Sequence, residues 1–288
     1  MSLVGLFQGI TWYLTSAATE PPSMDPHFYC STVKPSSSKS CLVMLGDSIT
    51  HQGLSGRFCD MIQAKRGDLD VVNCGQNSIL TYTVLKERVA WVAACDPAYV
   101  SVMIGTNDVK GIYKKEWGDG SRVTWEFPEG EIVDWEAFGR NIEMIVDYLV
   151  RNTTAAIGVS TLLMMGEDLE CDANVHIRKG NAIIRKAVEG AGKGKGKGRV
   201  ILVDCYEVCA KYLMKTTSSA ERKKGLKVDD FGSVGPELAI RTRFLGHSYD
   251  AVSAKFGLKI MCDALHLNER GATLVADKVL LWLRSISH

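Results

Sequence analysis

A chain of 288 residues, 46% hydrophobic and 23% charged, has the balance of a globular protein and enough length for a core that needs no staples. Its 34 basic and 33 acidic residues leave a net charge of +1, which removes any strong pull toward nucleic acid or an anionic membrane. The nine cysteines are odd in number and scattered, with no C-x-x-C pair and no zinc-like Cys/His spacing; they argue against a disulfide framework or metal site and favour reduced, mostly buried thiols.

In chain order, Leu3 to Ala18 is fairly apolar but carries Gln8, Thr11, Thr15 and Ser16, and no Lys or Arg precedes Lys34. The basic flank of a secretory signal is missing, and the run is too polar for a stable membrane span, so a cytoplasmic location is favoured. A secreted or membrane-anchored protein held by residues 1–18 is the alternative, and the sequon at Asn152 is a weak sign in that direction. Residues 19–40 hold four of the seven prolines and a serine cluster, the composition of a linker. The expected organisation is an extension over 1–39 and one folded domain over 40–288.

From Cys41 onward, short apolar runs alternate with helical patterns. Strands are expected at 41–46, 69–73, 98–104, 155–161 and 199–204, with helices near 53–66, 79–94, 135–151, 173–190 and 269–285. Such alternation predicts a parallel sheet covered on both faces, a three-layer α/β/α sandwich. Active residues of such sheets stand outside the carboxyl ends of the strands. Here three of those ends in succession carry glycine with small polar residues: Gly46-Asp47-Ser48, Asn73-Cys74-Gly75-Gln76-Asn77 and Gly105-Thr106-Asn107-Asp108.

Acyl transfer by serine needs a hydroxyl, a base, a group that orients the base, and donors for the oxyanion. Ser48 supplies a hydroxyl at a strand-to-helix turn. Asp263 and His266, three residues apart just before the last helical pattern, can face one another and serve as orienting carboxylate and base. The Ser48 and Gly75 backbone N–H groups and the Asn107 side-chain amide are the candidate oxyanion donors. GDSIT at 46–50, the Gly75 turn, GTND at 105–108 and DALH at 263–266 together resemble the four sequence blocks of the SGNH (GDSL-type) hydrolase superfamily. The resemblance implies a flavodoxin-like sandwich with a five-stranded parallel sheet and a cofactor-free serine esterase. It also implies Ser48 as nucleophile, His266 as base, Asp263 as its partner, and Gly75 and Asn107 in the oxyanion hole. Lysophospholipase, thioesterase or transacylase chemistry and a non-catalytic binding module are the alternatives. The substrate class is a small-molecule, lipid or carbohydrate ester. The first block has Ile49 where the family commonly has leucine, a tolerated change at a core position. Thr50 instead of glycine at the fifth position separates the chain from the G-x-S-x-G elbow of α/β-hydrolases.

Other polar residues have plainer readings. His51 is expected to point away from Ser48 on the first helical turn, His247 to lie on the surface, and Asp47 and Asp108 to bind turn backbone. Asn77 is a minor candidate for shaping the oxyanion pocket. Met164 and Met165 read as core. The glycine–lysine run 190–198 fits no phosphate-loop spacing and reads as a solvated loop. Residues 111–134, with Tyr113, Trp117, Trp125 and Phe127, form a long insertion suited either to a lid over the site or to a packed surface excursion. Residues 216–250 form a second excursion, whose basic stretch 222–224 reads as a solvated face.

Overall fold

The computed structural model of the chain describes residues 20–124, 133–194, 196–230, 234, 237–238 and 240–286. Five strands, β1 (Ser40–Gly46), β2 (Leu69–Gly75), β3 (Tyr99–Met103), β4 (Ala156–Ser160) and β5 (Val200–Val203), form one sheet in the order β2-β1-β3-β4-β5. All four pairings are parallel, with Gly46 opposite both Gly75 and Met103 at the carboxyl edge. The nine longer helices are α1 (Phe58–Lys65), α2 (Val89–Ala94), α3 (Thr106–Tyr113), α4 (Lys115–Thr124), α5 (Trp135–Asn152), α6 (Asp172–Lys193), α7 (Cys205–Thr216), α8 (Tyr249–Lys255) and α9 (Glu269–Ile286), counted among the described residues.

The strands read as continuous apolar runs because both faces of the sheet are covered. On β1, Cys41, Val43 and Leu45 enter the core beneath α2, α5 and α6, whereas Leu42 and Met44 enter the core beneath α1, α7 and α9. The helices supply matching stripes. In α5 the buried residues include Phe138, Ile142, Ile145, Val146 and Leu149; in α9 they include Val275, Val279, Leu280 and Leu283. Each such side chain contributes about 1.5–3 kcal/mol by leaving water, so packing rather than intrinsic propensity holds these helices to the sheet. Asp134 starts α5 by accepting the Ala137 N–H at 2.7 Å. The sheet and its two helical layers form the expected α/β/α sandwich.

From β1 the chain passes to β2 on one side of the sheet and then crosses to β3 on the other. The carboxyl ends of β1 and β3 therefore flank a topological switch point, where such sheets open a crevice.

Two segments differ from their local composition. The stretch expected as a linker holds a helical turn, Pro26–Phe28, capped by the Asp25 carboxylate and continued as a π-turn over Tyr29–Val33. Tyr29 is 3% exposed within the core, and the Met24 carbonyl accepts the Asn73 N–H of β2 at 2.8 Å. The packed body thus takes in residues ahead of Ser40, because one buried aromatic ring and main-chain pairing to an edge strand outweigh the proline and serine content. The insertion at 111–134 begins as helix: α3 runs into α4, whose Gly118 backbone lies against Gly111. Tyr113 and Trp117 pack against the α5/α6 core, and the Tyr113 hydroxyl donates to Asp229 of the second excursion at 3.2 Å. Trp125 and Phe127 lie outside the described residues, as does the apolar stretch 3–18. No described helix is long and apolar enough to cross a membrane.

Candidate active site

β1 ends at Gly46, and Asp47 caps the turn that follows by accepting the Ile49 N–H at 3.1 Å. Ser48 opens this turn at the carboxyl edge of the sheet and is 8% exposed. The loop before α9 reaches the same edge. His266 Nε2 lies 2.8 Å from Ser48 Oγ, and His266 Nδ1 lies 2.7 Å from Asp263 Oδ2, although the serine and the histidine are 218 positions apart. The other Asp263 oxygen accepts the backbone N–H groups of Leu265 at 3.0 Å and His266 at 2.7 Å. The carboxylate is thus fixed by its own loop. It selects the tautomer in which Nδ1 carries the proton, leaving Nε2 to accept the serine O–H. Asp263 and His266 are each 3% exposed, so these bonds operate out of water, where they are stronger.

Asn107 stands on the first turn of α3, beyond β3, and is buried. One N–H of its amide donates to the Ile79 carbonyl at 3.0 Å, which leaves the second N–H for another acceptor. The following residue ties the same two segments together. The Asp108 carboxylate accepts the Thr81 N–H at 3.1 Å and the Thr81 hydroxyl, which in turn accepts the Asn141 amide at 3.2 Å. Burial pushes the Asp108 carboxyl up to about 6 against the opposing pull of the Thr81 hydrogen bonds.

Gly75 departs from its expected role. Its N–H donates to Asn73 Oδ1 at 2.9 Å, so that donor is already engaged. A Cβ at this position would fall 2.3 Å from the His51 backbone nitrogen. What approaches Gly75 is the Ser48–His51 turn, and the glycine is required for that turn to seat on β2. Ser78, three residues on, holds φ at +58° in the turn whose Ile79 carbonyl Asn107 grips. Nothing in the sequence marks it, since glycine is the ordinary signal for a left-handed turn.

His51 is engaged away from Ser48. Its Nδ1 accepts the Gly53 N–H at 3.3 Å, so Nε2 donates to the Glu20 carbonyl at 2.8 Å, and burial lowers its pKa. His247 is exposed, with its N–H on the Arg241 carbonyl. Met164 and Met165 are core residues, and Asn77 is buried on the turn next to Ser78. Lys110, one turn after Asn107, was not singled out by the sequence. Its ammonium feels both Asp47 and Asp263, while burial pulls its pKa below the usual lysine range.

The profile of the GDSL-like lipase/acylhydrolase family matches residues 44–274, which spans β1 through the first turns of α9. The chain belongs to this family. Among solved structures of similar fold, LAE5, an alpha/beta hydrolase enzyme from the metagenome of Lake Arreo, Spain, has a TM-score of 0.57 at 16% identity, over 86% of this chain and 97% of the other. Axe2, an acetylxylan esterase from Geobacillus stearothermophilus, has a TM-score of 0.56 at 16% identity, over 86% and 94%. The acetyl xylan esterase AlAXEase has a TM-score of 0.58 at 17% identity, over 84% and 99%. At these identities the likeness is one of fold. Comparison with curated proteins finds no matching sequence. As a GDSL-type protein, the chain is supported as a hydrolase of carboxylic esters, and a small-molecule ester is the substrate class this implies.

Proposed function

We infer that the protein is a serine esterase in which Ser48 is the nucleophile, His266 the general base and Asp263 the residue that orients the base. The observation that carries this reading is the pair of short contacts at His266, 2.8 Å to Ser48 Oγ and 2.7 Å to Asp263 Oδ2. Ser48 Oγ attacks the ester carbonyl as its proton passes to His266 Nε2. Collapse of the tetrahedral intermediate expels the alcohol, which takes that proton, and leaves an acyl group on Ser48. Water then gives a proton to Nε2, attacks the acyl carbon, and releases the acid while the proton returns to Ser48. The Ser48 N–H and the second N–H of Asn107 are the oxyanion donors in this scheme; Gly75 is left out because Asn73 holds its N–H.

Hydrolysis of p-nitrophenyl acetate by the wild type and by Ser48→Ala tests the proposal. The variant is expected to lose activity to background, and equal rates would end the reading. A fluorophosphonate probe should label the wild type at Ser48 and leave the variant unlabelled, whereas a binding module that merely kept the fold would not react. The acyl and alcohol groups are addressed by a panel of acetyl, butyryl and long-acyl esters, with an acetylated xylo-oligosaccharide as the arm suggested by the esterases of similar fold. Lysophospholipase activity would appear in the long-acyl arm.

A further inference from the structure

One buried acid has no part in the chemistry above. Glu167 lies on the connection between β4 and α6 and is 2% exposed. Its carboxylate receives three successive backbone N–H groups, from Lys259 at 2.8 Å, Ile260 at 2.7 Å and Met261 at 3.0 Å. Lys259 donates to the second oxygen as well, at 2.8 Å. The next residue back repeats the grip, since the Gly166 N–H donates to the Ala264 carbonyl at 2.7 Å. Ala264 lies between Asp263 and Leu265 and is held at φ +69°, a conformation that costs a non-glycine residue energy and persists only when its surroundings impose it.

The segment gripped in this way is the base of the loop that carries Asp263 and His266. Met261 bridges to Leu267, the Cys262 N–H meets the His266 carbonyl at 2.9 Å, and the Asn268 N–H meets the Ile260 carbonyl at 3.0 Å. Residues 260–268 therefore form a closed loop with the two candidate catalytic groups at its tip. Glu167 accepts N–H groups from three consecutive residues, 259 to 261, where the chain enters that loop. Carboxylates are rarely buried without a cation. Here oriented peptide dipoles supply more than the nearby Lys259 ammonium does, so the acid is suited to the one backbone geometry that aims three N–H groups at a single point.

The geometry points to Glu167 as a positioning residue for the catalytic loop: it fixes the backbone of 259–261 so that His266 Nε2 stays within hydrogen-bond distance of Ser48. This rests on the esterase reading above. It is not a group that touches substrate, and it acts through His266.

The test is kinetic, with p-nitrophenyl acetate as substrate and three variants of the full chain. Glu167→Gln keeps the shape but turns one acceptor oxygen into an N–H₂ group facing the N–H cluster. Its kcat is expected to fall about 10- to 100-fold with KM within about threefold, the range associated with misplacing a reacting group by an ångström or so. The rate of fluorophosphonate labelling at Ser48 should fall in parallel. Glu167→Asp keeps the charge on a shorter stem and should recover part of kcat; it also serves if the glutamine variant does not fold. Ser48→Ala is run alongside. Wild-type kcat in a folded Glu167 variant, with Ser48→Ala inactive, overturns this inference and leaves the esterase reading standing. Wild-type activity in Ser48→Ala removes the reading on which the inference rests.

Discussion

At the scale of single residues, the site depends on hydrogen bonds that hold donors and acceptors in one orientation each. Asp263 accepts three of them, so Asp263→Asn should fold and yet lose activity by roughly 10⁴, because an amide at this position can bind the other imidazole tautomer. Asn107→Ala removes an oxyanion donor in the proposed scheme and should lower kcat toward p-nitrophenyl acetate by about 10²–10³. Asp108 gives a prediction about stability. Its folded pKa of about 6 lies above the 3.8 of an ordinary aspartate. The protonated form is therefore favoured by folding, and the stability it contributes is present below pH 4 and lost as pH rises through 6. Urea unfolding of wild type and Asp108→Asn at pH 5 and pH 7 should show the variant gaining on the wild type at the higher pH by about 1 kcal/mol, since only the upper part of the titration lies in that window. A constant difference would mean that the buried carboxyl does not titrate in this range.

At the scale of elements, the sequence was most informative where the pattern is long and one-sided. The five apolar runs became the five strands, and the stripe on α9 was plain from Val275, Val279 and Leu283. The loop of Asp263 and His266 was legible because the two side chains meet through local geometry, at a separation of three. What stayed hidden depends on partners distant in sequence. Composition says linker at 19–40, but Tyr29 finds a core to enter. Glycine after a strand says oxyanion donor at 75, but the glycine is there because a second backbone needs the space. Glu167 gives no local signal at all, since its three donors lie 92 to 94 positions away. Two substitutions test these element contacts. Tyr29→Ala should cost about 3–5 kcal/mol by emptying a core position. Gly158→Ala would place a Cβ 2.8 Å from the Trp282 ring that lies across β4, and should cost about 1–3 kcal/mol through overpacking. Both are read from denaturant midpoints.

At the scale of the molecule, strand order decides where chemistry is possible. With β1 between β2 and β3, the Ser48 turn, the Asn107 turn and the loop of Asp263 and His266 converge at one edge, although they come from separate parts of the domain. Because the hydroxyl sits near the start of the fold and the imidazole near its finish, the proposed proton transfer needs almost the whole domain in place. A chain cut after Lys255 would keep all five strands and both oxyanion donors of the proposed scheme but lack its base, and is expected to leave p-nitrophenyl acetate untouched.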